Sequence, residues 1–183
     1  RRFSNEHQGY SEQAVAVLAQ PEQTAFNIFD GRLQQLGRKF EDFRNAEENG
    51  AVIVADSPAE LATRIGIDSD ELEATLDEAG LFAESGEPDG FGRQFSADTL
   101  LRAPYCAVRV TGALFHTQGG LLVDDHARVK RADGSVFDSL FACGGAACGV
   151  SGPDVSGYLS GNGLLTALAL GHLAGGCVGH EGG

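Results

Sequence analysis

The stretch "GYLSGNGLLTALALGHLAG" (Gly157–Gly175) decides how this chain is read. Ser160, Gly161, Asn162 and Gly163 are small, and Leu164, Leu165, Leu168 and Leu170 follow at helical spacing. Apolar residues on nearly every side of a helix predict one buried against a sheet. Residues without bulk at its start let the main chain approach a flat ligand closely. The first-turn N–H groups and the positive end of the helix dipole favour an anionic or electron-rich group there. Two accounts stay open at this point, a ligand cradle and a tight packing crossover.

Working outward, "YCAVRVTGALF" (105–115) reads as a strand, and "GGLLVDDHARVKRADGSVFDSLFACGG" (119–145) as a meander turned at Asp133-Gly134. Further upstream, "DSPAELATRIG" has Asp56 or Ser57 as N-cap, Pro58 at the first helical position and Gly66 as the stop. "DSDELEATLDEAG" repeats that design, with Asp68 or Ser69 capping, Leu72 and Leu76 on one face, and Gly80 expected to end the helix. A short turn between them predicts a helical hairpin. Near the start, "SEQAVAVLAQ" reads as a helix ended by Pro21, "TAFNIFD" (24–30) as a buried strand and "GRLQQLGRKFEDF" as an irregular helix. The fold class is α/β (α+β), with a division expected between 1–103 and 104–183.

Composition narrows the function. A net charge of −13 over 183 residues opposes binding to nucleic acid or anionic lipid, because phosphate is repelled. No apolar run near twenty residues is seen, so no membrane span is expected. Cys106, Cys143, Cys148 and Cys177 form no CxxC pair, so no metal site is expected, and reduced thiols fit a cytoplasmic protein. The chain starts at Arg1 and holds no methionine, which leads us to expect a piece of a larger protein.

The ordered motifs "VTGALFHTQGG", "VDDHARVKRADGSVFDSLFACGG" and "GYLSGNGLLTALALGHLAG" resemble the C-terminal half of the flavoprotein family of fumarate reductase, succinate dehydrogenase and 3-ketosteroid dehydrogenase. "RRFSNE" and the Asp56–Gly80 helices resemble that family's capping, or substrate, domain. The resemblance implies a partial FAD-binding flavoprotein domain: residues 1–103 as the capping domain and 104–183 as the segment that completes the flavin domain. No strand-borne GxGxxG, the element that grips the ADP half of FAD, occurs in this chain. The implied cofactor is FAD, and the implied reaction is hydride transfer between a substrate C–C or C=C bond and flavin N5.

Site residues follow from the same resemblance. Gly144 and Gly145 stand at the strand end beside FAD, Gly145 where the family commonly has a glutamate. Ser160, Gly161, Asn162, Gly163 and Leu164 correspond to the helix start that touches the isoalloxazine. His116 resembles the histidine that holds a substrate carboxylate or carbonyl, a task for which imidazole is suited as a hydrogen-bond donor. Glu6 resembles the acid of the proton path, and Arg32 corresponds to the arginine that delivers a proton to substrate carbon. Tyr158 stands where the reductases have a dicarboxylate-clamping arginine. Gly9 and Tyr10 stand where another arginine usually follows the glutamate. Two fewer cationic groups argue against fumarate or succinate, whereas a tyrosine polarises a ketone. The expected partners are a small-molecule substrate, carboxylate or ketone, and an unidentified electron donor or acceptor. A 3-ketosteroid-type desaturase and a non-catalytic fragment are the alternative readings.

Overall fold

The computed structural model describes residues 1–113, 119–152 and 154–180. The chain divides into two compact units, Arg1–Gly112 and Ala113–Gly183. The strand following Pro104 hydrogen-bonds to strands of the first unit.

In the first unit, α1 (Tyr10–Leu18) leads to β1 (Thr24–Asp30), α2 (Gly31–Gly37), α3 (Glu41–Glu48) and β2 (Val52–Ala55). The helical hairpin α4 (Pro58–Ile65) and α5 (Ser69–Ser85) follows, and β3 (Tyr105–Thr111) closes the unit. The three strands form an antiparallel sheet in the order β1-β3-β2, with Thr24 opposite Thr111, Ile28 opposite Ala107 and Ile53 opposite Ala107. Strand periodicity then puts Phe26, Ile28, Ile53, Ala55, Tyr105 and Ala107 on one face. Leu61, Ala62, Ile65, Leu72 and Leu76 from the α4–α5 hairpin pack against that face. β2 has no counterpart in the sequence reading, because "VIVA" is only four strand residues between two helices.

Caps explain the hairpin's ends. Ser57 accepts from the Glu60 N–H at 3.2 Å, while the Glu60 carboxylate accepts from the Asp56 N–H at 3.0 Å. Asp68 accepts from the Glu71 N–H at 2.9 Å. Gly66 and Gly86 end the two helices with φ of +73° and +71°. Gly80 does not stop α5, contrary to expectation. A mid-helix glycine costs only about 1 kcal/mol, and the helix continues through Leu81 and Phe82 until Gly86 turns left-handed.

In the second unit, β4 (Arg128–Lys130) and β5 (Val136–Phe141) form an antiparallel ribbon around Asp133-Gly134. The Gly134 N–H donates to Arg131 O at 3.0 Å, with φ +86° at Gly134. Leu121 pairs in parallel with Ala147, and a Cβ at Gly120 would meet Ala146 O at 2.7 Å, so only glycine permits this approach. Helix α6 (Asn162–His180) packs on the Gly144–Ala146 turn, and Leu170 joins Val129, Ala142 and Ala147 in a small core.

The rest of α6 departs from the expected burial. Leu164, Leu165 and Leu168 are exposed, because the surface offered by this narrow unit reaches only one side of the helix. Residues Asn162–Gly179 carry no Asp, Glu, Lys or Arg, and are long and apolar enough to cross a membrane by length and composition. The sequence reading saw no such run. The Leu170 contact and the close approach to Gly144 make α6 the main helix of the second unit's core.

Candidate functional site

The second unit sets the glycines of the strand end against α6, at Ala167 in its second turn. Gly144 has φ +56°, and a Cβ there would lie 3.4 Å from the Ala167 Cβ. Gly161 has φ +89°, conformationally open to glycine and strained for other residues. A Cβ on Gly145, Gly161 or Gly163 would meet nothing within 4 Å, so the main chain at these positions is open to a ligand. Asn162 N donates to Leu159 O at 3.2 Å and Leu165 N to Gly161 O at 3.0 Å. Among the described residues the Gly163 and Leu164 N–H groups have no backbone partner. Leu164 is 74% exposed beside them. Two donors without a backbone partner among the described residues, at the positive end of a 19-residue helix and next to glycines, suit a planar, electron-accepting ring. That chemistry matches an isoalloxazine, which gathers negative charge at N1 and C2=O on reduction.

Asn162 differs from its neighbours. It is buried, and its side-chain amide donates to the Ser151 hydroxyl. Tyr158 follows the Val155–Gly157 turn, is half-buried, and its N–H donates to Val155 O at 3.2 Å. Ser160 is exposed just before the helix. His116 lies outside the described residues.

Glu6 and Arg32 belong to the first unit, each in its own cluster. Glu6 Oε2 accepts from Arg2 Nη2 at 2.6 Å and from Arg93 Nη1 at 2.7 Å. Arg2 also pairs with buried Asp89, and both guanidiniums stack on Phe95, 4.9 and 4.6 Å from the ring centre. Burial pushes the Glu6 carboxyl up, but the bonds from Arg2 and Arg93 outweigh it and hold the group below its ordinary value. Arg93 Nε is buried without a partner among the described residues.

Arg32 is anchored by Asp30, the most buried charged residue among the described ones at 1% exposure. Asp30 Oδ2 accepts from Arg32 Nη2 at 2.5 Å and Nε at 2.8 Å, and from the Arg102 N–H at 3.2 Å. Its Oδ1 caps α2 through Arg32 N at 3.0 Å. Burial alone would raise the Asp30 carboxyl, yet these donors hold it low. The Asp30 hydrogen bond in turn raises Arg32 above its ordinary value. Arg32 Nη1 donates to Asp98 O at 2.9 Å, and Nη2 donates also to Leu100 O at 2.7 Å.

Sequence reasoning missed Arg93, Asp89, Asp30 and Ser151 as partners. Asp30 had a local signal, since Asp before "GRLQQ" is an N-cap pattern. The pairings of Arg93 and Ser151 join distant segments and leave no periodic trace.

Comparison with known proteins agrees with these features. The FAD binding domain family model matches residues 1–164. The fumarate reductase (cytochrome) of Shewanella frigidimarina is 30% identical over 175 residues, covering 96% of this chain and 30% of the relative. The 3-oxosteroid 1-dehydrogenase of Mycobacterium tuberculosis (strain ATCC 25618 / H37Rv) is 30% identical over 143 residues, covering 69% and 25%. Among solved structures, the open conformation of a flavocytochrome c3 fumarate reductase superposes with a TM-score of 0.65 at 28% identity, over 97% of this chain and 30% of that one. A 3-ketosteroid delta1-dehydrogenase from Sterolibacterium denitrificans shares the fold, with a TM-score of 0.66 at 24% identity over 96% and 37%. The chain thus spans between 25% and 37% of the length of these four relatives. With the family's sequence pattern and an α/β architecture, the chain belongs to the FAD binding domain family, whose cofactor is FAD.

Proposed function

We propose that this chain is part of an FAD-dependent oxidoreductase that moves a hydride between a substrate carbon and flavin N5, with a proton gained or lost at the neighbouring carbon. The carrying observation is the start of α6, where Gly161 and Gly163 leave the backbone open and the Gly163 and Leu164 N–H groups have no backbone partner among the described residues. When bound, FAD supplies the hydride-accepting or hydride-donating N5. Gly144, Gly145, Ser160, Gly161, Gly163 and Leu164 would hold it, and the N–H donors would stabilise negative charge at its pyrimidine edge.

The substrate side rests on four residues. His116 would orient a carboxylate or carbonyl, and Tyr158 would polarise it. Glu6 and Arg32 are the proton-path candidates. Glu6 is held ionised by Arg2 and Arg93, so it would serve as a proton acceptor rather than a store. Arg32 is clamped by Asp30 and would release a proton only if substrate binding opened that clamp. Residues 1–103 would act as the capping domain and 104–183 as the flavin-side segment.

A tyrosine in place of a clamping arginine favours a ketone, as in the 3-ketosteroid branch, over a dicarboxylate. Steady-state turnover of steroid ketones against unsaturated dicarboxylates by the FAD-loaded full-length protein separates these. A His116→Ala variant should lose roughly a hundredfold in turnover; unchanged kinetics would remove His116 from the site. A folded full-length protein that binds no flavin, with no absorbance near 450 nm (approximately, the oxidised-flavin band), would overturn the whole reading.

A further inference from the structure

We propose that Ser151 and Asn162 are positioning residues for the flavin: the bond between their side chains seats the first turn of α6, and so keeps the Gly163 and Leu164 N–H groups available to the ring's pyrimidine edge. This rests on the flavin reading of α6 given above. Asn162 is 8% exposed, its Nδ2 donates to the Ser151 hydroxyl and its backbone N–H to Leu159 O. It therefore holds the helix rather than the ligand.

A second contact lies one turn further on. Thr166 is also 8% exposed and sits against Gly149, where a Cβ would be 2.7 Å from the Thr166 hydroxyl. Residues 162 and 166 are four apart and share one helix face. Both contacts go to the same short segment, Gly149–Ser151, so that segment fixes the roll and the height of α6. Residues 163 and 164 fall about 100° and 200° around the helix from Asn162, away from the seat. Loss of the Ser151 bond frees the first turn to roll or fray, and the N–H donors move with it.

The test uses the FAD-loaded full-length protein and three variants at the seat. Ser151→Ala and Asn162→Leu should each raise the FAD dissociation constant roughly tenfold, the effect of about one lost buried hydrogen bond. They should also shift the flavin midpoint potential to more negative values, because the reduced ring loses its donors. Ser151→Thr keeps the hydroxyl and should restore both. A thermal melt checks that the variants fold, and Ser151→Ala decides if Asn162→Leu does not. Unchanged affinity and potential in folded Ser151→Ala would overturn the proposal. If Gly163→Val weakens FAD while Ser151→Ala does not, only this inference fails; if neither weakens it, the flavin reading of α6 fails as well.

Discussion

Arg93 Nη1 donates to Glu6 Oε2 at 2.7 Å across 87 positions of chain, and the same carboxylate takes a second bond from Arg2. One partly exposed carboxylate thus ties the N-terminal segment to the loop after α5. Phe95 under both guanidiniums and Asp89 behind Arg2 complete the knot.

Glu6→Gln should therefore change the acid stability of the protein. Its folded value lies below the ordinary 4.5, so its contribution is present above that value and is lost as pH falls through the folded value. The variant should be less stable than the wild type at pH 7 by up to about 1 kcal/mol, with the two converging in strong acid. Thermal melts across pH measure this. A difference that grows as pH falls would contradict the pairing.

Asp30→Ala should be far more damaging. It removes the cap of α2 and leaves the Arg32 and Arg102 donors without their shared acceptor. A loss of about 3 kcal/mol or more is expected, read as a lower urea midpoint. A shift of less than about 0.5 kcal/mol would mean that Asp30 is not the anchor described.

Asp124 should titrate unusually low. Burial raises it, but the Arg128 and His126 N–H groups and the Arg128 guanidinium hold it at about 2. Carboxyl-carbon NMR should show it ionised where other aspartates protonate, and Arg128→Ala should move it upward. A titration midpoint in the ordinary aspartate range would contradict this turn.

Gly163→Val should leave the fold intact while weakening FAD. A side chain there meets nothing within 4 Å in the chain, and valine is no worse a helix former than the glycine it replaces. Roughly tenfold or greater loss of FAD affinity is expected if the ring lies against that position. Equal affinity would place the ring elsewhere.

Much of this architecture could be read from residue order. The caps at Ser57 and Asp68, the turn at Asp133-Gly134 and the β1 strand are local signals, each legible within a few residues. The end of α5 is not legible in this way, because glycine stops a helix only where the backbone turns left-handed, and Gly80 does not. Nor is the exposed face of α6 legible, since an apolar helix predicts a covering surface without saying which residues provide it. At the site, the open glycines were legible, while the seat from Ser151 and the clamps from Arg93 and Asp30 depend on three-dimensional placement.

A crystal structure of the FAD-loaded full-length protein measures the decisive distance, from the Gly163 and Leu164 nitrogens to the pyrimidine edge of the ring. Hydrogen-bond separations, about 2.7 to 3.2 Å for at least one nitrogen, are predicted. A ring lying beyond about 6 Å from both nitrogens, too far even for one bridging water, would contradict the account.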